Sequence, residues 1–314
     1  MPETVRTALA AFKITDHFLQ LSKSSRERYT LILNEVERVA GSSLPIGRLN
    51  QGHASAALHA RRQAGAGEAT LNTYRSALRS IAQWLIDTGY TKTNFATGIR
   101  NAKTVVARSK RKPISADQAR EMLKLAFEIH PRDGVTVALL LFTGCRGSEV
   151  TGLKWHHIDF DSGILTVFRS KVRDEITMLM PTELRTILLD WSAHELNNGA
   201  KPSDFVVPAL KNRGFHKGLP YRMTADWPLN HSAKQTGMRN RVKELLRDVG
   251  ETDLVGKGSH TLRRTSANLF LNATGDIRAV QHLLGHSSVA MTEKYLDVDA
   301  QAAKYGAMIQ SWTI

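Results

Sequence analysis

The stretch LLGHSSVAMTEKYLDVD, residues 283–299, carries His286 and Tyr295 nine positions apart near the end of a 314-residue chain. Nine residues make two and a half turns at 3.6 residues per turn, so one continuous helix would turn the two rings to opposite faces. Gly285 followed by Ser287-Ser288 offers a break, because serine favours the N-cap of a new helix. The stretch therefore predicts a helix ending near His286, a short turn, and a second helix carrying Tyr295. That geometry could aim both rings at one point.

Working outward, residues 260–273 and 276–285 read as helices, with 289–296 as the short helix that bears Tyr295. Further upstream, 232–249 and 182–195 also read as helices, separated by the Gly-, Pro- and Asn-rich segment 197–231. Residues 156–180 change to strand chemistry: HHIDF, GILTVF and EITMLMP, joined by turns at 161–163 and 170–174. VTVALLLFTG, 135–144, predicts a buried helix stopped by Gly144. The domain that holds these elements begins at Pro113, where Ser115 and Gln118 form a capping-box pattern. Its class is mainly α with a small antiparallel β-sheet.

The first part of the chain is helical too. Residues 14–40 predict one helix closed by Gly41, and 69–88 another. In the latter, Leu71, Tyr74, Leu78, Ile81 and Leu85 follow the three-four spacing of a single apolar stripe. Arg75 and Arg79 lie off that stripe, with a phosphate backbone and plain solvent equally open to each. Residues 100–112, RNAKTVVARSKRK, carry Arg100, Lys103, Arg108, Lys110, Arg111 and Lys112 and no acidic residue. This reads as an extended basic linker able to lie along phosphates. The division is a helical N-terminal domain at 1–99, the linker at 100–112, and a second domain at 113–314.

Charge narrows the partner. The formal net charge is +14, and residues 1–112 hold 18 Lys+Arg against 7 Asp+Glu, whereas 113–314 hold 25 against 22. So concentrated an excess points to a polyanion, nucleic acid above all. Cys145 is the single cysteine, so no intrachain disulfide forms, which fits a reducing compartment. The N-terminus shows no secretory pattern, and the longest apolar run, VTVALLLF, is far too short to span a bilayer. A cytoplasmic protein with no membrane partner is expected.

Three further stretches bear chemistry. TGCRGSEVTGLKW places Arg146 just past a helix stop, with Glu149 close behind. SHTLRRTSANLF places His260 and Arg263 three apart, on one helix face, with Arg264 beside them. FRSKVRD places Lys171 in a hairpin turn, with Arg169 and Arg173 as neighbours that are poor general acids. Alone, each is weak. Together, two guanidiniums suit a phosphate, lysine and histidine can move protons, and a tyrosine can act as a nucleophile. There is no acidic cluster with metal-holding spacing and no Gly-rich phosphate loop, so neither metal nor cofactor is expected. His282 and His286 are four apart, as helical metal ligands can be, but no third ligand is evident. Cys145 suits a small packing residue better than a redox handle.

Three stretches, TGCRGSEVTGLKWHHIDF, HTLRRTSANLFLNATGDIRAVQHLLGHSS and TEKYLDV, resemble the tyrosine recombinase (phage integrase) family in order, content and spacing. The match is direct over about residues 135–300 and looser in the N-terminal part, which is similar in pattern to the family's core-binding domain. The resemblance implies a two-domain, C-shaped clamp on double-stranded DNA. It implies that Arg146 and Arg263 hold the scissile phosphate and that His260 hydrogen-bonds it. Lys171 would protonate the leaving 5′-oxygen, although the family often has a glycine-flanked turn there. His286 would support the phosphate or Tyr295, and Glu149 would orient Arg146. Tyr295 would attack, giving a 3′-phosphotyrosine link. Arg264 stands where histidine is common in the family and reads as an accessory phosphate or structural contact.

The family also implies a homo-tetramer on DNA, a Holliday junction, accessory DNA-bending proteins in some systems, and a nucleoid-associated setting in a bacterium or phage. The apolar spacing of Ala302, Tyr305, Met308, Ile309 and Trp312 makes about 300–314 a tail that docks on its own domain or on a neighbouring protomer. Two other readings stay open at this point. One is a relaxing enzyme like the type IB topoisomerases; the other is a DNA-binding regulator without catalysis.

Overall fold

The computed structural model describes residues 4–103, 112–169, 174–197, 199–209 and 235–297. The chain divides into two compact units, residues 1–106 and 107–314.

The first unit is helical. Its elements are α1 (Val5–Lys13), α2 (Asp16–Leu19), α3 (Lys23–Ala40), α4 (Gln51–Gln63) and α5 (Glu68–Asp87). The single helix expected over 14–40 is two. Thr15 and Ser22 each turn a side-chain oxygen to a backbone N–H three residues on, at Phe18 and Ser25, and so start α2 and α3 separately. The stripe of α5 is buried as its spacing requires, against Phe12, Ile32, Leu33 and Val36.

Arg75 and Arg79 both find partners within the unit. The buried arc of α5 is wider than its leucine stripe and takes in Arg75, which is 9% exposed and pairs with Glu68 at 2.6 Å and with Asn72 Oδ1 at 2.5 Å. Arg79 donates to the Ile99 carbonyl at 2.9 Å and to Asn101 Oδ1 at 3.1 Å. Asn72 adds two hydrogen bonds to the backbone of Ala102. The start of the expected linker is thus pinned to α5, because its carbonyls and amides find partners there. Arg100, Lys103 and Lys112 are exposed, while Arg108, Lys110 and Arg111 lie outside the described residues.

The second unit contains α6 (Ala116–Ile129), α7 (Pro131–Thr143), α8 (Gly147–Gly152), β1 (Ile158–Asp159), β2 (Ile164–Arg169), β3 (Asp174–Leu179), α9 (Thr182–Asn197), α10 (Gln235–Asp248), α11 (Ser259–Thr274), α12 (Ile277–Leu284) and α13 (Val289–Glu293). The α6 capping box forms as Ser115 and Gln118 predict. Helix α7 runs through the middle of the core, with Val135, Val137, Ala138, Leu139 and Leu140 all buried. Its start is tied to α10 by the buried Asp133 carboxylate, which receives Arg132 at 2.6 Å and Arg241 at 3.0 Å. The strands form an antiparallel sheet in the order β1-β2-β3, with Val167 opposite Ile176. Leu165, Val167 and Arg169 share the inward face of β2, at the two-residue period of a strand. The turn that carries Lys171 lies outside the described residues, as does the tail after Asp297.

Candidate active site

Four short pieces of the second unit meet: the α7–α8 turn, the start of α11, the α12–α13 turn and the residue just past α13. The first reverses direction at Gly144, whose φ of +61° is left-handed. A Cβ at Gly144 would lie 2.9 Å from Leu284 Cδ2 and 3.1 Å from Ser266 Oγ, so glycine also permits the close approach of α11 and α12. Arg146 follows as the N-cap residue of α8. Glu149 accepts from its backbone N–H at 2.7 Å and from its Nη1 at 2.7 Å. The carboxylate therefore fixes both ends of Arg146.

Arg263 is fully buried. Its guanidinium donates to the Gly144 carbonyl, to the Leu284 carbonyl at 2.7 Å and to His286 Nε2 at 3.2 Å. Glu149 stands 4.0 Å from it. Because an arginine only donates, Nε2 of His286 accepts, so Nδ1 carries the proton and donates to Thr292 Oγ1 at 3.0 Å. Gln281 receives the His286 backbone N–H and donates its own amide to the His286 carbonyl at 2.9 Å. The imidazole is thus held on every polar edge.

The ring of Tyr295 lies 5.0 Å from that of His286, centroid to centroid. Arg263 is 5.5 Å and Arg264 4.8 Å from its centre, both in cation–π range. Helix α13 ends at Glu293, shorter than the expected 289–296, so Tyr295 sits just beyond it. Its backbone is bracketed by Asn268, which donates to the Tyr295 carbonyl at 3.0 Å and accepts from the Asp297 N–H at 2.9 Å. Arg264 donates to the Lys294 carbonyl, so it serves the tyrosine segment as a structural contact.

Electrostatics set the protonation states. Burial, then the charges of Arg263, Arg146 and Arg169, push His286 down to about 4, so it is neutral at pH 7. His260 stays exposed on the first turn of α11. Partial desolvation, followed by the fields of Arg263, Arg146 and Arg264, lowers its pKa as well. Burial raises the Cys145 thiol to about 11, which makes it a packing group beside Arg146 and not a redox handle.

Arg146, Glu149, His260, Arg263, Arg264, His286 and Tyr295 thus share one region. The sequence reading missed Asn268, Thr292 and Gln281 and treated Arg169 only as a rival of Lys171. Asn268 had a legible signal: it stands four residues after Arg264 on one helix face. Among the described residues, no group of three His, Cys, Asp or Glu is placed to hold a metal ion.

Residues 112–302 match the model of the phage integrase family, and residues 18–89 match that of its N-terminal SAM-like domain. The chain is 28% identical over 255 residues to tyrosine recombinase XerC of Xylella fastidiosa strain M23, covering 81% of this chain and 78% of that one. It is 28% identical to XerC of Escherichia coli O157:H7 strain EC4115, over 76% and 73% of the two chains. Among solved structures, a lambda integrase dimer bound to a COC′ core site aligns with a TM-score of 0.69 at 19% identity, covering 94% of this chain and 77% of that one. The Tn1549 transposon integrase in complex with a circular intermediate DNA aligns at 0.65 and 16% identity, over 97% and 99%. These two likenesses concern the fold. Sequence, fold and the convergence of two arginines, two histidines and a tyrosine agree: the chain belongs to the phage integrase family.

Proposed function

We propose that this chain is a tyrosine-type site-specific DNA recombinase, an enzyme that cuts and rejoins DNA strands through Tyr295. The observation that carries this reading is the placement of the Tyr295 ring against His286, Arg263 and Arg264. Arg146 and Arg263 hold the non-bridging oxygens of the scissile phosphate and stabilise the charge that develops there. The Tyr295 oxygen attacks phosphorus; His260 hydrogen-bonds the phosphate and takes the phenolic proton. The bond to the 5′-oxygen breaks, Lys171 protonates that oxygen, and a 3′-phosphotyrosine link remains. Attack by a 5′-hydroxyl of the partner strand reverses these steps, so the phosphodiester energy is kept and no ATP is required. Neutral His286, its two ring nitrogens engaged by Arg263 and Thr292, supports the site by holding Arg263 and packing against the Tyr295 ring.

Strand exchange in this reading proceeds through a Holliday junction within a homo-tetramer on duplex DNA. The exposed Arg100, Lys103 and Lys112 fit contact with the DNA backbone. The tail, about 300–314, docks on the neighbouring protomer. An apolar groove of about 850 Å³ on the second unit, lined by residues such as Leu123, Phe142, Met178, Leu179 and Phe270, supports that assignment. Deleting 302–314 is expected to leave single-site cleavage and impair recombination; intact recombination would sink the docking role.

The test is covalent capture. Purified protein is mixed with nicked duplexes from the DNA flanking its own gene, denatured, and examined for a protein–DNA adduct. The wild type is expected to give one and Tyr295→Phe none. An adduct that persists in Tyr295→Phe moves the nucleophile, with Tyr305 next in line. Tight binding with no adduct favours a binding regulator. Relaxation of supercoiled DNA without exchange favours a topoisomerase-like enzyme.

A further inference from the structure

Arg169 is a charged residue in a core position. It ends β2 on the face where Leu165 and Val167 are buried, and it is itself 3% exposed. Burying a guanidinium is costly unless hydrogen bonds and an opposite charge meet it. Here Nη2 donates to the Leu283 carbonyl at 3.2 Å, while Nε is buried with no partner among the described residues. No ion pair to Arg169 occurs among those residues either. An arginine so poorly compensated is a weak device for stability.

Its surroundings show what it does instead. A helix leaves its last four carbonyls without partners from within. In α12 the Gln281 and His282 carbonyls are taken by the backbone N–H groups of His286 and Gly285. The next two, Leu283 and Leu284, are taken by Arg169 and Arg263. Two guanidiniums therefore hold consecutive carbonyls at the negative end of α12, directly before His286. Gly285 between them has φ +56°, and a Cβ there would lie 0.8 Å from Arg169 Nη1 and 2.1 Å from its Cζ. The Arg169 guanidinium lies on the face of Gly285 that any side chain would fill.

We propose that Arg169 is a positioning residue for strand cleavage, holding the 283–286 segment so that His286 and Arg263 meet Tyr295. This rests on the catalytic reading of that site. Arg169 has no contact with Tyr295 among the described residues, and its Nη2 is committed to the Leu283 carbonyl, so it acts through the loop.

The test measures single-turnover adduct formation at saturating nicked duplex from the captured site, with DNA affinity and melting temperature in parallel. Arg169→Met, which keeps the stem and drops the fork, is expected to slow adduct formation about 10- to 100-fold, the scale of a misplaced catalytic group. Affinity is expected to stay unchanged and melting to shift little. Arg169→Lys is expected to recover part of the rate, because an ammonium reaches one carbonyl but lacks the planar fork. Gly285→Ala is expected to be severe alone and milder in an Arg169→Ala background, since the shared space is then vacant and only the strain of a left-handed backbone remains. A full-rate Arg169→Met, a rate loss that tracks lost affinity, or strictly multiplicative effects with Gly285→Ala would each overturn the proposal. Should Arg169→Met melt below the assay temperature, Arg169→Lys decides: slow and folded supports the role, full-rate refutes it. An adduct formed by Tyr295→Phe would instead sink the reading of the site itself, whatever Arg169 does.

Discussion

Two buried arginines, one in each unit, are handled in opposite ways. Arg75 in α5 meets a carboxylate, Glu68, at 2.6 Å, which it shares with Arg62 at 2.9 Å, so its charge is directly paired. Arg263 in α11 is more deeply buried, yet it is held by two backbone carbonyls and an imidazole, with Glu149 only at 4.0 Å. Arg146, Arg169 and Arg264 stand around it, and the Arg263 Nε is itself a buried donor without a partner among the described residues. The first unit spends its buried arginine on cohesion. The second keeps a positive surplus that only an anion would neutralise, which is what a phosphate-cleaving site needs.

The largest expected contrast follows directly. Arg263→Ala is expected to lower single-turnover adduct formation by about 10²- to 10³-fold or more, the scale for losing a preorganised charge donor. Arg75→Ala is expected to lower the melting temperature by a few degrees (~2–8 °C) and leave the rate per folded molecule unchanged. Equal rate losses in the two variants would erase the distinction between the units.

A pH titration sharpens the same comparison within the second unit. His286 and the buried His130 at the start of α7 are both held down at about 4, against 6.5 for a free imidazole, chiefly by burial. Between those values the unfolded chain binds more protons than the folded one, so stability falls as pH is lowered. The loss begins near pH 6.5 and is complete near 4, at up to about 3 kcal/mol per histidine. His286→Asn and His130→Asn are each expected to flatten the dependence of melting temperature on pH between 5 and 7. A slope unchanged in both variants would contradict the assignment. The smallest effect is expected at Cys145, where a thiol held near 11 is packed and protonated. Cys145→Ala should retain adduct formation, and thiol alkylation of the native protein near pH 7 should be slow.

Much of the fold was legible because it obeys local periods. The α5 stripe, the Ser115 capping box, the Gly144 stop and the alternation of β2 are patterns of a few residues, and each appears where the spacing puts it. The misreadings were local too. A hydroxyl cap at Ser22 breaks a run that looks continuously helical, and Tyr295 lies past the end of α13 because the chain leaves the helix to reach Asn268. The burial of Arg75 was not legible, because an apolar stripe marks the middle of a buried arc and says little about its flank.

The sequence by itself determined which reactive groups are present, in what order, and on which turns and helix starts they sit. It also determined the family, since motif order and spacing are properties of the chain. Tertiary structure alone decided which cations are free and which are committed. Arg263 reaches a carbonyl 119 residues away and Arg169 one 114 residues away. A guanidinium's partner is chosen by packing across such distances, and no short-range pattern records the choice. The neutral state of His286 belongs to the same class, because burial and three surrounding arginines depress its pKa, and those neighbours are assembled only by the fold.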